Sequence, residues 1–341
     1  METEDPLREI VLVYNLDEQT PRGEPEDLIA IQYTAQTTQH LFKALCALGY
    51  DTNILAVRDS LEDFKWALSQ FSPDHSFVFN NCDGFSGENV GSAQVIRVIE
   101  AMGFGHTGAT AEVVELCIDK GQAKQRLLQF GIPTPAFQVI ENPREVPALT
   151  YPLIVKPLTE DGSLGIDLGA VVTNPVELRR RLEYVIERYC QPAIVEEFII
   201  GREFAVALWG NQPVEALPIA EEDYTWVQDP LQRLLTFEAK WDENSPFFHN
   251  IQVRCPAPLA EAEAQRIRQA AVAAYRAIGL RDFGRVDIRY RDGIPYIIDI
   301  NEIPDLSPES GYPRTAQIAG YGYNAMVEKL LDYALRREGW R

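Results

Sequence analysis

Apolar positions in this chain follow two periods in alternation. EIVLVYNL, residues 9–16, is a nearly unbroken apolar run of strand length. After the polar stretch DEQTPRGEPED, apolar positions recur at helical spacing from Leu28 to Leu48, where Gly49 ends the pattern. Strands near 52–57 and 76–80 and a helix near 91–102 continue the alternation, which predicts an open parallel α/β sheet. GFGHTG, 103–108, has the GxGxxG spacing but follows a helix. A dinucleotide loop must follow a strand and open a helix, so this segment reads as a turn. A helix at 110–129, a strand ending at Lys156, a strand near 167–172 and a helix at 175–189 come next. The last part opens with the strand PAIVEEF. It holds a long polar loop at 220–250, a helix at 261–278, a strand pair at 284–301 and a C-terminal helix from about 315. These shifts divide the chain into residues 1–105, 106–190 and 191–341, without repeats or low-complexity segments.

Charge then narrows the partners. A net charge of −20 disfavours a nucleic-acid backbone as ligand, because such binding relies on Lys and Arg displacing counterions. In so acidic a chain, any phosphate site needs a local gathering of lysines and arginines. The five cysteines (46, 82, 117, 190 and 255) are scattered, with no CxxC pair. They read as reduced thiols, and the dispersed histidines give zinc no support. The start, METEDPLREI, is acidic where a secretion signal would be basic, and no apolar run is long enough to span a bilayer. A cytoplasmic protein with no membrane partner is expected.

The densest chemistry lies in GRVDIRYRDGIPYIIDINEIPDLSPES, 284–310, where two apolar-rich runs flank RDGI, a hairpin signal. Period-two alternation places Arg285, Asp287 and Arg289 on one side of the first strand, and Asp299 and Asn301 on one side of the second. Register decides whether the two sets meet. A two-residue Asp-Gly turn pairs Asp287 with Ile298 and sends the carboxylates to opposite faces. A three-residue loop, Arg291–Gly293 or Asp292–Ile294, brings them to one face. Together they would offer hard oxygen ligands suited to magnesium, with Arg285 beside them to stabilise a transferring phosphoryl group. The alternative is a solvated sheet face of ion pairs, although the interleaved Ile, Val and Tyr argue for a covered sheet. Four further stretches add basic and acidic groups. Lys156 ends an apolar strand and precedes a glycine-containing loop, Lys120 opens a helix in DKGQAK, and Lys240 lies in the long polar loop. EEFIIGREF, 196–204, joins two strands and supplies Glu196, Glu197 and Glu203.

Taken in order, DKGQAKQRLLQFGIPTP, YPLIVKPLTEDGSLGI, IVEEFIIGREFAVAL, FEAKWD and GRVDIRYRDGIPYIIDINEIP resemble the ATP-grasp superfamily, specifically its D-alanine–D-alanine ligase branch. DGFSGEN also stands where those ligases have HGxxGED. The resemblance implies an N-terminal open parallel α/β domain followed by two ATP-grasp subdomains whose antiparallel sheets sandwich ATP. It implies that Lys120, Lys156 and the lid residue Lys240 contact phosphates. Glu196, the backbone from Glu197 through Phe198 to Ile199, and Glu203 would hold adenine and ribose. Asp287, Asp299 and Asn301 would bind Mg2+ or Mn2+, while Arg285, Lys240 and Ser310 serve catalysis. The implied reaction joins a small-molecule carboxylate to an amine through an acyl phosphate, and a homodimer is the family expectation.

Asp299 stands where the ligases usually have a glutamate, a mild departure that keeps oxygen ligation with a shorter reach, and four further positions depart from them. The glutamate of the loop after the first strand falls near Ala30, a serine is replaced by Gly162, the lid tyrosine by Trp241, and a glycine by Asp305. These changes predict an amino-acid or amino-acid-like substrate other than D-alanine. True D-alanine–D-alanine ligase, a nucleotide-binding sensor without turnover and a bicarbonate-using carboxylating enzyme are the competing readings.

Overall fold

The computed structural model describes residues 9–341. Most of the acidic start METEDPLREI therefore lies outside the described residues. Among those described, no helix is long and apolar enough to cross a membrane.

The N-terminal alternation forms a parallel sheet of order β2-β1-β3, with β1 Glu9–Asn15, β2 Asp51–Val57 and β3 Ser76–Asn81. Helix α1 Leu28–Ala47 covers one face through Leu41, Ala44 and Leu45. α2 Leu61–Leu68 and α3 Ser92–Ala101 cover the other face. α2 was not read from the sequence. Its eight residues bury only Phe64 and Leu68, too few to display a period, and its start rests on Ser60 accepting from the Asp63 N–H. GFGHTG forms a turn, as expected, beside β3.

The helix expected over 110–129 is two helices, α4 Ala111–Ile118 and α5 Lys120–Gln129. Asp119 is extended, and its carboxylate accepts from the Gln122 N–H at 2.9 Å, so a new helix starts with Lys120 in its first position. Next comes an antiparallel sheet of order β4-β7-β5-β6, formed by β4 Phe137–Ile140, β5 Leu153–Pro157, β6 Val171–Val172 and β7 Ala193–Glu197. α6 Pro175–Tyr189 packs behind it, started by the Asn174 side chain. The strand expected at 167–172 is shortened because Leu168–Ala170 turns as a 3-10 helix capped by Asp167.

The second antiparallel sheet runs β11-β10-β8-β12-β13, with β9 paired to β8. Its strands are β8 Arg202–Trp209, β9 Glu215–Ala216, β10 Ala220–Asp223, β11 Gln252–Arg254, β12 Phe283–Arg291 and β13 Ile294–Asn301. The stretch 220–250, expected as one polar loop, contains β10 and two short helices, α7 Phe237–Trp241 and α8 Pro246–Asn250, capped by Thr236 and Ser245. α9 Glu261–Ile278 lies behind the sheet through Ile267, Ala271, Ala274 and Ile278. The single C-terminal helix expected from 315 is α10 Gly311–Ile318 and α11 Tyr323–Arg337, separated near Gly320. α11 packs Val327, Leu330 and Leu331 into the same core as Ile10, Leu12 and Phe77 of the N-terminal sheet. Val114, Cys117 and Leu127 of α4 and α5 share a core with α9 and β12.

The hairpin solves its register differently from the expected three-residue loop. Arg291 pairs with Ile294, so the turn has only two residues, and both Asp292 (φ 52°) and Gly293 (φ 81°) take the left-handed backbone such a turn requires. A β-bulge then intervenes: Ile288 pairs with Ile297, whereas Asp287 pairs with Asp299, leaving Ile298 as the extra residue. The bulge lets Ile297 and Ile300, three apart, both enter the core while Ile298 and Asp299 line a cavity. The carboxylates meet, but through the bulge.

Candidate functional site

The two antiparallel sheets turn polar faces towards a common cavity. Ile154 and Lys156 of β5 and Glu196 of β7 line one wall, while Arg285 and Asp287 of β12 with Asp299 and Asn301 of β13 line the other. Lys120 enters from the start of α5 and Lys240 from α7. Glu197, Phe198, Ile199 and Glu203 also reach the lining. Thus the residues named from the sequence converge, except Ser310. It sits at the start of α10, where its hydroxyl donates to the Asp305 carbonyl at 2.6 Å, and it does not line the cavity.

Charge in this cavity is balanced pair by pair. Lys120 Nζ is 3.0 Å from Asp161 and 3.7 Å from Asp299. Burial disfavours its charge, but those two carboxylates outweigh burial and raise its pKa. Glu196 is buried, its two oxygens lying 3.4 Å from Lys156 Nζ and 3.2 Å from Lys124 Nζ. Burial would raise the Asp299 carboxyl, yet Lys120, Lys156 and Lys124 hold it below its ordinary range. Asp299 is therefore an anion in a cationic corner.

Opposite it, Arg285 grips Asp287 with two nitrogens, at 2.7 and 2.9 Å. Asn301 donates its amide N–H to Asp287 at 3.1 Å, which leaves its carbonyl oxygen for another partner. Among the described residues, no three His, Cys, Asp or Glu side chains form a ready cation cage. Two facing carboxylates and an amide oxygen fit a hard divalent cation that completes its shell with phosphate oxygens, the usual habit of magnesium. Burial and then the nearby Arg285 lower the Lys240 pKa, and an incoming anion would oppose that shift.

Deeper along the floor, Glu203 accepts from Arg289 at 2.5 Å and from the Tyr224 hydroxyl at 3.1 Å, and Glu197 accepts from Arg291 at 2.8 Å. Sequence reasoning missed Lys124, Asp161, Glu222 and Arg22. Lys124 follows Lys120 by four residues, a helical spacing visible in DKGQAK. Arg22 comes from the loop after β1 and lies 2.9 Å from Glu160, a long-range meeting that no local pattern announces.

The positions that depart from the ligases are also neighbours. The Trp241 indole N–H donates to the Gly162 carbonyl at 2.9 Å, and Tyr33 of α1 packs its ring edge-on to Trp241 at 5.3 Å. Gly162 has φ +63°, and a Cβ there would lie 3.8 Å from Ala30 and 3.0 Å from Leu164. Asp305 accepts from the Ser307 N–H at 2.8 Å, its hydroxyl at 3.0 Å and the Thr37 hydroxyl at 3.5 Å. At the end of β3, Asp83 accepts from Thr34 of the same helix face at 2.9 Å.

Comparison with known proteins adds an independent line. A family model described as D-ala D-ala ligase C-terminus matches residues 127–332, more than half of the chain. An uncharacterized protein, y4sG, of Sinorhizobium fredii is 37% identical over 76% of this chain and 75% of its own length. The D-alanine–D-alanine ligase of a Thermotoga species (strain RQ2) is 30% identical over 91% of this chain and 95% of its own. The crystal structure of D-alanine–D-alanine ligase from Bacillus anthracis complexed with ATP superposes with a TM-score of 0.75 over 97% of this chain and all of that one. At 21% identity, that likeness speaks for the fold.

Proposed function

Because the chain belongs to the D-alanine–D-alanine ligase family of ATP-grasp proteins, we propose that it is an ATP-dependent carboxylate–amine ligase acting on a substrate pair other than two D-alanines. One observation carries the reading: Asp287 faces Asp299 across a bulged hairpin, with Arg285 beside them and lysines from three separate elements lining the same cavity. This is what a polyphosphate and its cation require in a chain of net charge −20.

Lys120, Lys156 and Lys240 receive the phosphates, and Glu196 orients Lys156 from below. The Glu197–Ile199 backbone and Glu203 receive adenine and ribose. Asp287, Asp299 and Asn301 hold Mg2+ or Mn2+, which when bound neutralises phosphate charge and orients the oxygens. Arg285 stabilises the γ-phosphoryl group of ATP as a substrate carboxylate attacks it and ADP leaves. The acyl phosphate so formed is open to an amine, and α7 with Trp241 closes over it to exclude water. In this scheme residues 1–105 form the substrate-side domain, and 106–190 and 191–341 form the two ATP-grasp parts.

The altered substrate wall supports a different substrate pair. Gly162 lies beside Ala30, which offers no carboxylate to a substrate ammonium, and gives its carbonyl to Trp241 where the ligases carry a serine. The experiment is ADP release from ATP across a panel of carboxylate–amine pairs, with Asp299→Ala as the control. Turnover that depends on one amino-acid-like pair, absent with D-alanine and lost in the variant, is expected. Equal background release by both proteins would sink the ligase reading. Release with D-alanine alone would restore the true ligase.

A further inference from the structure

Ile298, the extra residue of the β13 bulge, is displaced from the regular ladder, and a support outside the sheet takes its carbonyl. Lys124, 3% exposed on α5, carries three N–H donors and meets three acceptors: Glu196 Oε2 at 3.2 Å, Thr134 Oγ1 at 3.0 Å and the Ile298 carbonyl at 3.3 Å. Thr134 donates in turn to the Ile297 carbonyl at 2.8 Å, and the Ile297 N–H reaches the Pro133 carbonyl at 2.9 Å. Both carbonyls at the bulge are thus held from outside the hairpin.

We propose that Lys124 is a positioning residue for the cation-binding carboxylates, its ammonium fixing the bulge at Ile298 so that Asp299 stays opposite Asp287. The inference rests on reading the cavity as a nucleotide and metal site, and it adds a residue that need touch neither. A bulge is a local break in a ladder. Without an outside partner, its displaced carbonyl would favour any rearrangement that found one. Such a rearrangement moves Asp299 first, because Asp299 is the next residue. The same ammonium ties Glu196 in place and so couples the bulge to Lys156.

The sign of one measurement separates positioning from simple charge. Removing a cation beside a metal site should strengthen metal binding if charge alone matters, whereas releasing the bulge should weaken it. ADP affinity is measured by calorimetry with Mg2+ and with a chelator, for wild type, Lys124→Met and Thr134→Val. In wild type, Mg2+ strengthens ADP binding. In Lys124→Met that gain shrinks by about tenfold or more, the scale on which partners of metal ligands act, while chelator-state affinity changes far less. Thr134→Val shows a smaller loss of the same sign. Thr134→Val also decides the matter if Lys124→Met fails to fold, an undiminished gain then overturning the proposal. An unchanged or larger gain in Lys124→Met overturns the positioning role and leaves the nucleotide site intact. A wild type with no Mg2+-dependent gain overturns the reading of the cavity itself, and this inference falls with it.

Discussion

The two walls of the proposed site are built on different principles. On the wall proposed for nucleotide and cation, nearly every charged group is held by another: Arg285 on Asp287 within β12, Lys120 between Asp161 and Asp299, Glu196 between two lysines. On the wall proposed for the substrate, where only Gly162 lines the cavity itself, the contacts come from loops and a helix face: Trp241 on the Gly162 carbonyl, Tyr33 against Trp241, Asp305 on Ser307 and Thr37. Changing one residue of the first wall strands a buried charge, which is costly. Changing one residue of the second mostly exchanges a neutral contact. In the proposed scheme, reaction chemistry thus sits where strand register fixes it, and recognition sits where substitution moves no strand.

The sharpest break in that comparison is Arg285→Met. It removes the two-pronged partner of Asp287 and leaves that carboxylate uncompensated beside Asp299. Turnover of the correct substrate pair should fall by about 10³, as when a charge-stabilising donor is lost from a reacting centre, and the melting temperature should drop too. Turnover within tenfold of wild type would remove Arg285 from the phosphoryl-transfer step and make the wall merely structural.

Trp241→Phe tests the other wall. It keeps a ring against Tyr33 but deletes the N–H that binds the Gly162 carbonyl. One neutral hydrogen bond is worth about 1 kcal/mol, so a five- to tenfold rise in KM for the substrate pair is expected, with ADP affinity and melting temperature nearly unchanged. If ADP affinity falls as far as the substrate KM rises, the two walls are not separable and the contrast fails.

How far the sequence reached follows the same division. Period-two alternation was enough to put Arg285, Asp287, Asp299 and Asn301 on strand faces, and helical spacing was enough to find α1, α6 and α9. The register was not legible. An apolar run such as PYIID accepts either face, and the bulge depends on Lys124 and Thr134, more than 160 residues upstream of Ile298 in the chain. Lys124 was not singled out at all, because burial by a distant hairpin leaves no local mark. The split of α4 from α5 turned on one residue, Asp119, whose capping role needed only the S/T/D/N rule at a position hidden inside an apparently continuous helix. Ser310 was carried in by a motif position alone; it does not line the cavity, and its hydroxyl donates to the Asp305 carbonyl.

The smallest effect on turnover concerns a carboxylate that neither alternation nor motif singled out. Glu222 of β10 pairs in register with Glu203, and burial, followed by repulsion from Glu203 and Asp287, pushes its carboxyl from 4.5 up to about 7. The folded protein therefore keeps this proton over a pH range in which the unfolded chain has released it. Between the two values the native state binds more protons, so its stability falls as pH rises from about 4.5 and levels off above about 7. Glu222→Gln should match wild type near the acid end and be more stable by about 3 kcal/mol at pH 8, read from melting curves across the range. A cation bound at Asp287 would favour the charged form, so Mg2+ and ADP together should release a proton near pH 6.5, seen as a buffer-dependent heat that the variant lacks. Equal stability of the two proteins at pH 8, with equal proton release, would mean that the Glu222 carboxyl is not raised by the fold and that this wall carries no surplus charge for a ligand to settle.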